Sequence, residues 1–178
     1  MNQTKIIISE KSANSEVPYD IVSSNISVVN VLLEEGLREE QIHKDALASY
    51  YVDYYLAQVE NGGLSQYIYN SKNQKIVNDR VAYGLEKINA VKHLQFFNEK
   101  ISMLDKMPKD KVDDFLSGEY FGENQTRDEL NDDGFFNIDE EIIELNSKWL
   151  KNHSDTIILP MEKMFVAVEE IVGHDVER

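Results

Sequence analysis

The stretch VENGGLSQYIYN, residues 59–70, places two adjacent glycines inside a long helical pattern. Apolar residues recur at helical spacing from about Glu39 to Glu60, and the pattern resumes at Leu64. The glycine pair lacks the spacing of a dinucleotide-binding or P-loop fingerprint, and no strand precedes it. We therefore interpret it as a structural corner, at which Gly62 takes the left-handed conformation that ends a helix and Gly63 lets the chain turn.

Two amide side chains follow the glycines. Gln66 and Asn70 are four residues apart on one face of the next turn, where they can bond backbone groups exposed at the break. Leu64, Tyr67 and Ile68 share a face, and the sequence predicts that this face is buried.

The rest of the chain is also read as helical. Apolar periodicity predicts helices over residues 24–36, 74–88, 90–104, 108–116, 137–150 and 160–171. Ser23 or Ser24 is a candidate cap for the first, and Asn137 with Glu140 forms a candidate capping box for the helix that begins at residue 137. Gly36 ends the first helix, and no internal repeat is found. The predicted class is all-α, with seven or eight helices.

The domain boundaries follow from the same pattern. Residues 1–20 are predicted to be a loosely ordered N-terminal lead-in with a short strand at Lys5–Ile8. Residues 21–178 are predicted to form a single all-α globular domain. Within it, residues 117–137 are predicted to be irregular because glycines and polar runs alternate there.

Composition narrows the functional class. The 178 residues contain no cysteine and carry a net charge of −15, which excludes disulfides and thiolate metal sites and disfavours binding to nucleic acid or to anionic membranes. No apolar run approaches the roughly 18 residues of a membrane span. We expect a soluble, cytoplasmic protein that attracts basic partners.

The charge is concentrated in one segment. Residues 113–144 contain twelve acidic residues and one basic residue, Arg127. The twelve are Asp113, Asp114, Glu119, Glu123, Asp128, Glu129, Asp132, Asp133, Asp139, Glu140, Glu141 and Glu144. Apolar residues are interleaved with them, namely Phe115, Leu116, Tyr120, Phe121, Leu130, Phe135, Phe136, Ile138, Ile142 and Ile143. We expect these to anchor the segment to the core, so that the carboxylates form a fixed partner-binding acidic face.

Two kinds of metal site are alternatives to this protein-binding face, a calcium loop and a histidine site. The sequence ELNDDGFFNIDE, residues 129–140, places oxygen-bearing residues at most positions of a calcium loop, but it begins with Glu129 where that motif has aspartate. The four histidines, at 43, 93, 153 and 174, form no metal-binding pair at helical spacing. No nucleophile motif is present. We predict no metal, no cofactor, no catalytic residues and no enzymatic activity.

The glycine stretch also carries a family resemblance. Asn61, Gly62, Gly63, Gln66, Tyr67 and Asn70 are similar to the N-G-G-x-x-Q-Y signature of a bacterial DNA-mimic protein family, most of whose members are described as a domain of unknown function. The tyrosine-rich helix before the signature and the sequence LNDDGFF at 130–136 also resemble it. The resemblance implies an all-α acidic homodimer that occupies the DNA-binding surface of a helix-turn-helix transcription regulator.

Three functional hypotheses follow. The first is an acidic decoy that binds a basic DNA-binding protein through the carboxylates of residues 113–144. The second is an immunity-type inhibitor of one basic toxin or nuclease, which could use the same carboxylates. The third is an enzyme or small-molecule binder, which would need a deep pocket with converging polar groups. An acidic helical protein of unknown function, whose partner surface lies elsewhere, is the remaining alternative.

Overall fold

A computed structural model describes residues 4–131 and 134–177 of the chain. The elements in chain order are β1 Ile6–Ser9, α1 Glu10–Ala13, α2 Pro18–Glu34, α3 Lys44–Ser71, α4 Lys75–Lys87, α5 Val91–Leu104, α6 Lys109–Ser117, α7 Gln125–Leu130, α8 Ile142–Asn152, β2 Thr156–Leu159 and α9 Met161–Val172. Single 3₁₀ turns occur at Glu39–Gln41 and Phe135–Asn137. Helices hold 70% of the described residues, and the prediction of an all-α class is confirmed.

The chain divides into two compact units. The first comprises the described residues of Met1–Asp53 and Glu141–Arg178, and the second comprises those of Tyr54–Glu140. The boundary between Asp53 and Tyr54 falls within α3.

The first unit is built around a short parallel sheet. β1 pairs with β2 in the register Ile6↔Thr156 to Ser9↔Leu159. The three isoleucines of β1 are at most 1% exposed, and α2 packs on β1 and on α8. The predicted short strand at Lys5–Ile8 corresponds to β1. The described residues 4–20 are not loosely ordered, because β2 at Thr156–Leu159 supplies a pairing partner that the local sequence does not show.

Helix α2 begins earlier than its sequence suggested. Pro18 occupies the first helical position, where its missing N–H costs nothing and its fixed φ favours the helix. Ser24 is not a cap; it is buried, and its hydroxyl accepts a hydrogen bond of 2.9 Å from the Ser9 N–H. Gly36 follows the helix with a φ of +87°, as predicted for a terminating glycine.

The second unit has an aromatic centre. α4 packs on α5, and α6 packs on α7. Tyr55, Tyr67 and Phe97 are fully buried, with the Tyr55 centroid 5.2 Å from each of the other two rings in edge-to-face geometry. Two tyrosines of α3, Tyr55 and Tyr67, therefore lie in the core of this unit.

Two further predictions are wrong between residues 117 and 142. The segment predicted to be irregular contains α7, whose first turn is capped by Asn124 through a 3.0 Å bond from the Arg127 N–H to Oδ1. The helix predicted to open at Asn137 begins instead at Ile142. In residues 4–131 and 134–177, no helix combines the length and the hydropathy needed to cross a membrane.

Candidate protein-binding face

The glycine pair bends α3. Gly62 has a φ of −154° and a ψ of 18°, whereas Gly63 has a φ of +78°. Gly63 is therefore the left-handed residue, and the prediction that assigned this conformation to Gly62 is wrong. A Cβ atom on Gly63 would lie 2.3 Å from Asn131 Oδ1, so a close side-chain approach adds to the conformational reason for glycine.

Polar side chains from the acidic segment bond the backbone at this corner. Asn131 Oδ1 accepts from the Ser65 N–H at 2.9 Å, and Asn131 Nδ2 donates to the Gly62 carbonyl at 3.2 Å. The Tyr120 hydroxyl donates to the same carbonyl at 2.9 Å. These bonds satisfy groups that the break in the helix leaves without a partner. They also fix two points of the acidic segment relative to the corner.

The two motif amides bind a different partner from the one predicted. Gln66 Nε2 and Asn70 Nδ2 both donate to Gln58 Oε1, at 3.1 and 2.5 Å. They therefore link the two halves of α3 through side chains and not through exposed backbone. Asn61 bonds a backbone carbonyl of its own helix. Tyr67 is buried, as predicted.

The acidic segment is anchored by some of its apolar residues and not by others. Phe115, Leu130 and Phe135 are buried, as expected for anchors. Phe121 and Phe136 are 85% and 62% exposed, so the expectation that every interleaved apolar residue anchors the segment is wrong.

The loop between α6 and α7 is held by one arginine. Arg127 Nη1 donates to the Tyr120 carbonyl at 3.2 Å and to the Gly122 carbonyl at 2.8 Å. An open groove of about 740 Å³ lies beside this loop. It is lined by Gly122, Glu123, Asn124, Gln125, Arg127, Asp128 and Glu129.

Six of the predicted face residues come together on α6, α7 and the loop that joins them. Asp113 forms an ion pair with Lys109, Asp128 pairs with Arg127 at 2.9 Å, and Glu129 pairs with Lys111 at 2.6 Å. The other three are exposed, and no ion pair or side-chain hydrogen bond is found for them within the described part of the chain. These three are Asp114, Glu119 and Glu123.

The remaining face residues lie elsewhere. Glu140 Oε2 accepts from the N–H groups of Lys92 and His93, at 2.9 and 3.1 Å, and so caps the start of α5. This contact replaces the predicted capping box with Asn137. Asp139 is exposed beside Glu140. Glu141 and Glu144 are exposed at the start of α8, in the first unit. Asp132 and Asp133 lie outside the described residues.

The calcium-loop resemblance separates into unrelated contacts. Glu129 pairs with Lys111, Asn131 bonds the glycine corner, and Glu140 caps α5. Among the described residues, no group of three or more acidic or histidine side chains is arranged to hold a metal ion.

The first unit contains a reciprocal histidine–aspartate cluster that the sequence analysis did not predict. His153 Nε2 lies 3.0 Å from Asp45 Oδ2, and His43 Nε2 lies 3.5 Å from Asp155 Oδ2. The Nδ1 atom of each histidine accepts, at 3.1 Å, from the backbone N–H of the aspartate two residues later. The repeated His-x-Asp pattern at 43–45 and 153–155 was the available signal.

We call His43, Asp45, His153 and Asp155 the clasp, and the chemistry of this cluster is that of a structural contact. A backbone N–H can only donate, so both Nδ1 atoms are unprotonated and each neutral ring carries its proton on Nε2. A metal-binding histidine normally donates its other N–H to a neighbouring acceptor, which these rings cannot do. Burial lowers the pKa of His43, although the nearby carboxylates of Asp45 and Asp155 oppose that shift.

Comparisons with known proteins identify a family. Residues 40–153 match the family described as DMP19-like protein. This match contains the glycine corner, α6, α7 and the whole of the acidic segment. No curated protein and no solved structure matches the chain. Because the match covers well over half of the 178 residues, the chain belongs to the DMP19-like protein family.

Proposed function

We propose that this chain is a DNA-mimic decoy that occupies the DNA-binding surface of a basic DNA-binding protein, such as a helix-turn-helix regulator, and that it catalyses no reaction. The observation that carries the proposal is the set of three exposed carboxylates on α6 and the following loop, for which residues 4–131 and 134–177 provide no ion-pair partner. Membership of the DMP19-like family supports the same role.

The electrostatics favour such a partner. Duplex DNA presents about one negative charge per 1.7 Å of helix axis. Lysine and arginine side chains that normally bind phosphate can pair instead with the exposed carboxylates of Asp114 on α6 and of Glu119 and Glu123 on the following loop. Binding of this kind weakens steeply as salt screens the charges.

The proposed contact does not use all twelve acidic residues equally. Asp113, Asp128 and Glu129 are partly neutralised by basic neighbours, and Glu140 is engaged in capping α5. Exposed ion pairs contribute little energy, so a partner can compete for the first three. Replacing Glu140 would disturb the fold and would confuse any binding measurement.

A displacement assay tests the proposal. DNA-binding proteins from a lysate of the source organism are loaded on immobilised duplex DNA at low salt, and the purified chain is added. We expect it to release at least one basic protein from the DNA. The triple variant Asp114→Lys, Glu119→Lys, Glu123→Lys should release none.

The matched control carries the same charge change elsewhere. Glu16, Glu86 and Glu170 are exposed and lie outside the acidic segment, and their triple change to lysine should leave the release intact. No released protein, or equal release by both triple variants, would refute the proposal. Stoichiometric capture of a single toxin or nuclease, with loss of that enzyme's activity, would favour the inhibitor alternative.

The resemblance also implies a homodimer, and the composition predicts a cytoplasmic location. Both belong to the same proposal. Light scattering of the purified chain and fractionation of source cells are the measurements that check them.

A further inference from the structure

The loop between α6 and α7 presents a phenylalanine to solvent in a fixed position. The Phe121 side chain is 85% exposed. The backbone carbonyls immediately before and after it, those of Tyr120 and Gly122, are both bonded by the Arg127 guanidinium. Phe121 is therefore exposed on a loop whose backbone is hydrogen-bonded on both sides of the ring.

Phe121 is the outer end of a row of aromatic rings. Its centroid is 5.5 Å from that of Tyr120, which lies 5.2 Å from Tyr69, which in turn lies 5.7 Å from the buried Phe115. Within the row, Lys72 Nζ lies 3.9 Å from the Tyr69 centroid. A cation therefore already occupies a ring face in this row, in the geometry of a cation–π contact.

Two exposed carboxylates flank the exposed ring in the sequence. Glu119 precedes Phe121 by two residues and Glu123 follows it by two, and both are exposed. A planar guanidinium can stack on an aromatic face and donate to carboxylates in the same plane, whereas a lysine ammonium is a compact and strongly hydrated charge. The combination of ring and carboxylates favours arginine over lysine.

We propose that Phe121 is the anchor at which this surface binds an arginine of its partner, with the guanidinium over the ring and its N–H groups paired with Glu119 and Glu123. The inference rests on the proposed function and specifies the chemistry of the partner. The partner surface presents arginine at the point that meets the loop between α6 and α7.

Two labelled peptides of equal charge, nona-arginine and nona-lysine, test the proposal by fluorescence anisotropy at low ionic strength. We expect the chain to bind nona-arginine about two- to fivefold more tightly than nona-lysine. Phe121→Ala should abolish that preference while leaving nona-lysine affinity unchanged. The double variant Glu119→Gln, Glu123→Gln should weaken binding of both peptides.

Phe136→Ala is the matched control, because Phe136 is the other exposed phenylalanine of the acidic segment; it should keep the preference for arginine. Equal affinity of the unaltered chain for both peptides, or a preference that survives Phe121→Ala, would overturn the anchor and leave the decoy function standing. Unchanged binding by the double glutamine variant would refute the pairing of the guanidinium with Glu119 and Glu123. Failure of both peptides to bind would refute both the role of Phe121 as an anchor and the proposed function.

Discussion

Asn131 and Gly62 are 69 residues apart in the chain, yet the Asn131 amide donates to the Gly62 carbonyl at 3.2 Å. The same side chain accepts from the Ser65 N–H, so one residue of the acidic segment satisfies both sides of the corner in α3. The glycine motif and the acidic segment are therefore parts of one arrangement, in which the corner supplies backbone groups and the segment supplies the side chains that bond them.

The corner predicts a difference between two left-handed glycines. Gly63→Ala should destabilise the chain by about 3 kcal/mol, because an alanine there adopts an unfavourable φ and displaces Asn131 from two hydrogen bonds worth about 1 kcal/mol each. Gly36→Ala should cost only about 1 kcal/mol, since its φ is also positive but a Cβ atom there meets nothing within 4 Å. Urea unfolding of the two variants gives both free energies.

Equal losses in the two variants would show that Asn131 moves away without cost. A further check is Gly62→Ala, whose Cβ atom would lie 2.2 Å from Gln66 Oε1 at a φ that is not left-handed. Its destabilisation should therefore arise from the displaced Gln66 amide alone and should be smaller than that of Gly63→Ala.

Two buried tyrosines should respond in opposite directions to loss of the hydroxyl. Tyr55 Oη is buried and has no hydrogen-bond partner among the described residues, and burial raises the pKa of this hydroxyl far above its usual range. Tyr67 Oη bonds Asn78 Oδ1 at 2.7 Å. Removing an unsatisfied buried polar atom is favourable, whereas removing one partner of a buried hydrogen bond costs about 1–3 kcal/mol.

Tyr55→Phe should therefore raise the free energy of unfolding, by about 1 kcal/mol, and Tyr67→Phe should lower it by a similar amount or more. Thermal and urea unfolding of the pair provide the measurement. The substitutions are identical and the two rings are in contact, so changes in ring packing cancel in the comparison. A loss of stability in Tyr55→Phe would mean that its hydroxyl is satisfied in solution.

Elements with strong periodicity were predictable from the sequence, and elements fixed by distant contacts were not. α4, α5, α6 and α9 lie within one residue of their predicted bounds at either end. α7 was missed because its six residues, QTRDEL, show no apolar period. Its stability comes instead from the Asn124 cap and from the burial of Thr126 and Leu130.

The acidic face shows the same limit. Counting charges within residues 113–144 found Arg127 alone, but Lys109 and Lys111 lie just outside that range and pair with Asp113 and Glu129. Glu140 caps a helix whose first residues lie almost fifty positions earlier in the chain. The Lys109–Asp113 pair has the i,i+4 spacing of a helical ion pair and could be found in the sequence. The Lys111–Glu129 pair and the Glu140 cap join distant positions, so the carboxylates that lack a partner among the described residues could be identified only from the structure.

The clasp in the first unit predicts a pH dependence of stability. Burial lowers the pKa of His43, with Asp45, Asp155 and His153 as its charged or titratable neighbours and Lys5 bonded to Asp155 at 2.5 Å. The pKa of a histidine side chain in the unfolded chain is about 6.5. Below that pH the unfolded chain therefore binds a proton at His43 that the folded chain does not bind. The contribution of neutral His43 to the free energy of unfolding should be fully present above that pH. It should decrease as the pH falls, with a slope of up to about 1.4 kcal/mol per pH unit.

His43→Asn isolates this contribution. An asparagine oxygen can accept the Asp45 N–H two residues later, as His43 Nδ1 does, but it cannot take up a proton. Urea unfolding between pH 7.5 and 5 should therefore show a smaller slope in His43→Asn than in the unaltered chain. The exposed His174 gives the control, since His174→Asn should keep the slope. The hydrogen bond from Lys5 lowers the pKa of Asp155. Asp155 therefore changes the free energy of unfolding only at pH values near or below the usual carboxylate pKa, outside the range of pH 7.5 to 5. An unchanged slope in His43→Asn would mean that His43 takes up its proton without opening the clasp.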